Sequence, residues 1–236
     1  LLRRTGIGDL PANARAAQEC GLNLTVLRAY MTARGVPALL EAIRESGARA
    51  ATIVQNMLSF ARKGGAGAVE SDLAQLIDQA LELASADYDM KKRFDFRRIR
   101  IVRDYDPAAP KVPCQPQQIQ QVIFNVLRNG AEAMHEAIET GKMDRPPQFT
   151  LRTRRENDRL RIEIEDNGPG MTEAVQRRVF EPFFTTKPAG KGTGLGLSVS
   201  YFIVTQNHGG QMWVESEPDR GARFIVRLPL EGRAAT

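Results

Sequence analysis

Apolar positions in this chain follow two rhythms, and the change from one to the other marks its elements. Between Pro37 and Arg62, the residues Leu39, Leu40, Ile43, Ala50, Ile53, Val54, Met57, Leu58 and Ala61 recur at helical steps, which predicts one long helix with a single apolar stripe. That stripe must be covered, either by the domain that follows or by other helices in a bundle. Two short helices are predicted before it. One runs from Pro11 to about Glu19 behind the cap-like Asp9, and one from Asn23 to Ala33, closed by Gly35. Lys63-Gly64-Gly65-Ala66-Gly67-Ala68 reads as a flexible linker, so the domain boundary is placed between residues 66 and 67.

Beyond the linker, Ser71-Asp72 caps a helix carrying Leu73, Leu76, Ile77, Ala80, Leu81 and Leu83. A second helix spans Gln115 to about Thr140 on Ile119, Val122, Ile123, Val126, Leu127 and Ala131, and a third spans Leu195 to Gln206. Period-two alternation predicts strands over Phe96–Arg103, Gln148–Arg154, Arg159–Asp166, Gln211–Glu217 and Arg223–Leu228. Asn157-Asp158 turns the first hairpin and Pro-Asp-Arg-Gly the last. Three helices over one sheet make an α+β, two-layer sandwich, preceded by a helical segment.

Composition narrows the class. With 42% hydrophobic and 26% charged residues the chain reads as a folded globular protein, and no stretch approaches the roughly 18 apolar residues of a membrane span. Cys20 and Cys114 stand far apart in no metal or redox spacing, and both are expected as free thiols in a reducing compartment. His135 and His208 are isolated and belong to no zinc-like cluster. The net charge of +5 owes much to Arg93, Arg97, Arg98, Arg100 and Arg103, a basic strand without stacking aromatics, which reads as a solvated face and not a nucleic-acid surface.

The chemistry gathers around Gly190-Lys191-Gly192-Thr193-Gly194-Leu195-Gly196-Leu197. Its glycines let backbone approach phosphate oxygens, and the helix that follows turns free N–H groups toward them. No Gly-Lys-Ser/Thr ending makes it a P-loop, and no strand leads into it as a dinucleotide fold requires. Asn125 and Asn129, four apart, share one helical face and offer neutral oxygens of the kind Mg²⁺ accepts, although that spacing also suits an ordinary surface. Asp166-Asn167-Gly168-Pro169-Gly170-Met171 combines an acceptor for an exocyclic amine with room for a flat ring, or forms a tight turn. Phe180-Glu181-Pro182-Phe183-Phe184-Thr185-Thr186-Lys187 offers aromatic anchors, or core residues, and a lysine able to reach phosphate.

In this order and spacing, the four stretches resemble the N, G1, F and G2 boxes of the ATP-binding catalytic domain of sensor histidine kinases, within the superfamily that includes gyrase, Hsp90 and MutL. The resemblance covers about Ser71 to Leu230, and Gly221-Ala222-Arg223-Phe224 resembles the strand that ends the domain. It implies a Bergerat-type fold with a mixed sheet, and ATP and Mg²⁺ as cofactors. It implies that Asn129 binds Mg²⁺, that Asn125 supports metal and phosphates, and that Asp166 reads the adenine amine. Gly168 and Gly170 would border the base, with Ala133 and Met171 also in the ATP site. Lys187, Lys191, Gly192, Thr193, Gly194, Leu195, Gly196 and Leu197 would form a lid over the phosphates.

Asn125 stands where the hydrolysing relatives resemble one another in carrying a glutamate base, and an amide cannot take a proton, so phosphoryl transfer is expected over free hydrolysis. Two positions depart from the pattern. Gly130 stands where alanine is usual, and Glu132 where many of these kinases carry a basic residue, which leaves more of the phosphate charge to Lys187 and Lys191, with Arg128 a weaker candidate.

The region ending in Asn56-Met57-Leu58-Ser59-Phe60-Ala61-Arg62 resembles the second helix of the dimerisation and phosphoacceptor hairpin, and the short helices before it an insertion at the hairpin tip. This implies a homodimer through residues 1–66 and a response-regulator receiver domain as partner. Working in the cytoplasm is expected, with any membrane attachment only through an upstream segment. No histidine precedes His135, so no catalytic residue is expected in this chain. Either the abrupt start at Leu1-Leu2-Arg3-Arg4 marks a fragment, which is preferred, or the chain is a natural relative that phosphorylates a histidine elsewhere or serves only as a nucleotide-degenerate dimerisation and docking scaffold.

Overall fold

The computed structural model describes residues 11–44, 47, 67–91, 96–188 and 192–231. The chain divides into two compact units, residues 1–58 and residues 59–236.

In the first unit, α1 spans Pro11–Glu19 and α2 Leu24–Ala33. Asn23 caps α2, its Oδ1 accepting from the backbone N–H of Thr25 at 2.9 Å and of Val26 at 3.2 Å, and Gly35 ends the turn at φ +68°. The chain is helical again over 36–44. Most of the predicted helix beyond residue 44, and the linker through residue 66, lie outside the described residues.

The second unit is the α+β sandwich that the periodicity predicts. Its five-stranded sheet has the order β2-β4-β5-β7-β6, built from β2 (Arg100–Tyr105), β4 (Gln148–Glu156), β5 (Arg159–Asp166), β6 (Gln211–Glu217) and β7 (Gly221–Pro229). The sheet is mixed, since β2 runs parallel to β4 while the other pairs are antiparallel. The β4–β5 register sets Phe149 opposite Asp166 and closes at Asn157, which takes φ +54°. Three helices contribute to the core beside the sheet: α3 (Leu73–Lys91), α4 (Pro116–Glu139) and α6 (Gly196–Phe202), with the short α5 at Glu173–Gln176. Asp72 caps α3 by accepting from Ala74 N–H at 2.9 Å and Gln75 N–H at 3.3 Å.

Alternation misreads three places. Phe96–Arg98 is a 3₁₀ turn, and β2 starts only at Arg100. The turn places Phe96 and Ile99, three apart, in the core together, which a strand cannot do, and Phe96 stacks on Phe149 with centroids 6.3 Å apart. Two three-residue strands, β1 (Val69–Ser71) and β3 (Val112–Cys114), pair antiparallel and were not expected. After Phe202 the backbone widens into a π turn over Ile203–Asn207 instead of continuing to Gln206 as an α-helix. His208, just beyond it, holds two elements together: Nδ1 bonds the carbonyl of Ile203 at 2.9 Å, and Nε2 accepts the N–H of Gln115 at 3.1 Å, where α4 begins. Burial holds its pKa below the ordinary imidazole value. Within the basic strand, Arg103 is engaged with Asp78 at 2.8 Å, while Arg93 lies outside the described residues. Cys20 is exposed and Cys114 buried, both free thiols.

The packing also accounts for Gly130. A Cβ there would lie 2.7 Å from Cε1 and 2.9 Å from Cζ of Phe149, whose fully buried ring is hemmed in by Phe96. Alanine in a helix interior normally stabilises by about 1 kcal/mol over glycine, whereas forcing a methyl into a filled core costs about 1–3 kcal/mol. Crowding wins here. We expect Gly130→Ala to lower stability in urea unfolding, and Phe149→Leu to convert the same substitution from destabilising to neutral or better; a simple gain from Gly130→Ala alone would contradict this packing.

Candidate functional site

Helix α4 is the spine of the site. Its apolar side, with Ile119, Ile123, Leu127 and Met134 almost fully buried, faces the core. The stripe at Asn125, Asn129 and Glu132 is spaced four and three apart, and so is carried on one side of the helix. Loops from three other places in the chain meet this helix.

The first is the end of β5. Asp166 is only 6% exposed, and its Oδ1 accepts from the N–H of Gly168 at 2.9 Å and of Ala222 at 3.3 Å. Burial pushes its pKa up to about 6, and these two N–H bonds oppose the shift without cancelling it. The other oxygen, Oδ2, lies over Gly130, where an added Cβ would come within 3.1 Å of it.

Glycine is required in the loop that follows. Gly170 takes φ +67°, and a Cβ there would meet the carbonyl oxygen of Glu217 at 2.0 Å. Arg145 staples this loop from outside, donating to the carbonyls of Asn167 at 3.0 Å, Gly168 at 3.2 Å and Asp219 at 2.6 Å. Sequence reasoning missed Arg145, because nothing local to Met143–Pro147 points to a loop more than twenty residues on. Met171 is fastened through its N–H to Ser216 Oγ at 2.8 Å, and Ser216 donates to the carbonyl of Gly221 at 2.6 Å.

The second arrival is the segment after Phe180. Phe180 is an anchor, packed at 5.2 Å from Tyr201 and edge-on to Phe224 at 6.4 Å. Phe183 is instead exposed and takes φ +66°, its N–H bonded to the carbonyl of Gly194 at 2.9 Å. Gly194 at φ +64° passes so close that a Cβ would stand 2.4 Å from the Phe183 carbonyl carbon. Lys187 then reaches α4 and forms an ion pair with Glu132.

The third is the start of α6. The side-chain amide of Asn125 donates to the carbonyl of Gly196 at 3.1 Å and to Ser200 Oγ at 3.2 Å, tying the glycine loop to α4.

The structure therefore brings Asn125, Asn129 and Ala133 on α4 together with Asp166, Gly168, Lys187 and Gly196. Gly170 and Met171 follow in the same fixed loop, and Gly192, Thr193, Gly194, Leu195 and Leu197 lead into and along α6. Lys191 lies outside the described residues. Among the described residues, the half-buried Asn129 carboxamide makes no hydrogen bond, so its oxygen is available to a ligand. No cluster of three or more His, Cys, Asp or Glu able to hold a metal occurs among the described residues. The donor set suits an ion that brings most of its oxygen ligands with it and takes a single neutral oxygen from the protein. No described helix is long and apolar enough to cross a membrane.

Comparison with known proteins gives the chain's kinship. The model of the family described as histidine kinase-, DNA gyrase B-, and HSP90-like ATPase matches residues 114–232. The sensor protein FixL of Bradyrhizobium diazoefficiens is 33% identical over 197 residues, covering 82% of this chain and 35% of FixL. The chain spans about a third or less of the length of FixL and of three other curated relatives that it matches. Among solved structures, the catalytic domain of histidine kinase ThkA superposes with a TM-score of 0.56 at 28% identity, over 70% of this chain and 97% of that domain. Full-length ShkA in complex with AMPPNP gives 0.62 at 25%, over 84% of this chain and 40% of ShkA. ThkA in complex with the response regulator TrrA shares the fold, with a TM-score of 0.62 at 22% identity, over 97% of this chain and 63% of that one. The chain belongs to the histidine kinase-, DNA gyrase B- and HSP90-like ATPase family.

Proposed function

We propose that this chain is the ATP-binding catalytic core of a sensor histidine kinase, delivering the γ-phosphoryl group of ATP to a histidine outside residues 1–236 for relay to a response-regulator aspartate. The observation that carries this reading is the convergence on α4 of a buried carboxylate, a half-buried carboxamide and a lysine, joined to a glycine loop by Asn125. Asp166 would accept a hydrogen bond from the adenine amine, with Gly168, Gly170 and Met171 beside the base. Asn129 would offer its oxygen to Mg²⁺, with Asn125 and Ala133 behind it. Lys187, Lys191 and residues Gly192 to Leu197 would face the phosphates.

Bound Mg²⁺ neutralises phosphate oxygens as charge redistributes during transfer. The protein's own contribution is position. Asn125 fixes where α6 begins, and with it the backbone N–H groups of the glycine loop. An amide at that position takes no proton from water, which favours transfer over hydrolysis. The acceptor is not His208, since both of its ring nitrogens are engaged and it is buried. His135 lies on α4 with its Nε2 3.2 Å from Glu139. The kinship with sensor kinases supports the remaining assignments: a cytoplasmic homodimer through the helical region before residue 67, any membrane attachment through a segment upstream, and a response-regulator receiver domain as partner.

Two substitutions test the site. Asn129→Ala is expected to bring ATP affinity in Mg²⁺ down to the Mg²⁺-free level, a loss of tenfold or more by fluorescence titration. Asp166→Asn is expected to weaken ATP at least tenfold. It should also remove the rise in affinity that is expected of the wild type from pH 5 to pH 7.5 as Asp166 ionises near 6. Normal affinity in both variants would refute the assignment.

Asp166→Asn should at the same time stabilise the fold. Between the ordinary aspartate value of 3.8 and the native value of about 6, the folded protein holds a proton that the unfolded chain has released, so stability declines as pH rises through that window. Above it the buried charge costs at most about 3 kcal/mol. The variant is expected to unfold at higher urea than the wild type at pH 7.5, by about 1–3 kcal/mol, with the gap closing toward pH 4; equal or lower stability at pH 7.5 would contradict the buried-charge account.

A further inference from the structure

The ion pair between Lys187 and Glu132 is the contact the site does not need for holding a nucleotide. Lys187 comes from the segment after Phe184, and Glu132 lies on α4 three residues beyond Asn129 and seven beyond Asn125. The carboxylate is lodged between two cations: Lys187 pairs with Oε2, and Arg128 Nε lies 3.9 Å from Oε1. The side chains of Lys187 and Glu132 are 29% and 37% exposed, so solvent screens this pair less than it would an ion pair at the open surface. The base of the lysine is fixed as well. Its N–H donates to Thr185 Oγ1 at 3.1 Å, and Gly192 passes close enough that a Cβ would lie 2.7 Å from that oxygen and 3.3 Å from Lys187 Cδ. The ammonium is thereby aimed at the asparagine stripe, and the anion it meets there belongs to the protein.

We propose that Glu132 is a positioning residue that sets the affinity of this site for phosphate chains by competing with them for Lys187. This rests on the nucleotide reading above. A phosphate chain entering beside Asn129 must exchange one anion for another on the lysine. The more charge the ligand carries on its phosphate oxygens, the better it competes with the carboxylate. A nucleoside without phosphates meets no such competition. Glu132 thus narrows the preference for ligands carrying several phosphates over those carrying none, and keeps affinity for the phosphorylated ones moderate.

The test compares the full chain, Glu132→Gln, Lys187→Met and the double variant, each titrated with ATP and with adenosine in the presence of Mg²⁺. Glu132→Gln is expected to tighten ATP roughly threefold to tenfold, the size of a part-buried ion pair, and to leave adenosine within about twofold. In the Lys187→Met background, the same change should move ATP by less than about twofold, because the competitor's target is gone. An equal gain in both backgrounds would mean that Glu132 acts on the phosphates directly, and overturns the proposal. So would a gain that extends to adenosine, or no gain at all while the wild type binds ATP. A wild-type chain that binds neither ligand refutes the nucleotide reading itself, and this inference with it.

Discussion

Burial of α4 against the sheet and its neighbouring helices is the interaction on which the rest of this domain depends. The helix can lie there because Ile119, Val122, Ile123, Val126, Leu127, Ala131 and Met134 are all core residues, and it sits at a fixed depth because Gly130 leaves room for the ring of Phe149. Once that depth is set, Asp166 at the end of β5 comes to lie over Gly130, and Asn125 meets the start of α6. The polar stripe of the same helix then becomes the common wall for three loops that are far apart in sequence. A shift of the helix by the width of one methyl group would disturb Asp166 and Phe149 together.

The site is built from groups that the fold would be more stable without. Asp166 is a carboxylate kept away from water, and it holds its proton to an unusually high pH for an aspartate. Gly170, Gly194 and Gly221 hold positive φ where a Cβ would collide with backbone, so these loops depend on residues that add flexibility to the unfolded chain. Such conflicts between local stability and global architecture mark places where a sequence is shaped for binding. Arg145 compensates from outside by holding three carbonyls of two loops at once.

Helices α3 and α4 and the longer strands of the sheet were legible because each carries several repeats of its own period, and the caps at Asn23 and Asp72 act within two or three residues of themselves. The three-residue strands β1 and β3 are too short to show a period, and Phe96–Arg98 alternates in sequence yet winds into a 3₁₀ turn because two aromatic rings stack in the core. The same limit applies to the site. Glycine spacing and paired asparagines can be read from the chain, since each is a local pattern. The reach of Arg145, the role of Gly130 and the pairing of Glu132 with Lys187 come only from tertiary placement. Glu132 shows the difference plainly. Its sequence position suggested that Lys187 would carry more of the phosphate charge, and the fold shows that lysine already engaged by Glu132 itself.

The central claim is that these loops form a working nucleotide site in this chain as it stands. A calorimetric titration of ATP into the folded protein, with Mg²⁺ and then with the metal chelated, tests it most directly. The account predicts saturable binding at one site per chain that weakens when Mg²⁺ is removed. A folded sample that takes up no heat beyond dilution in either condition would contradict it.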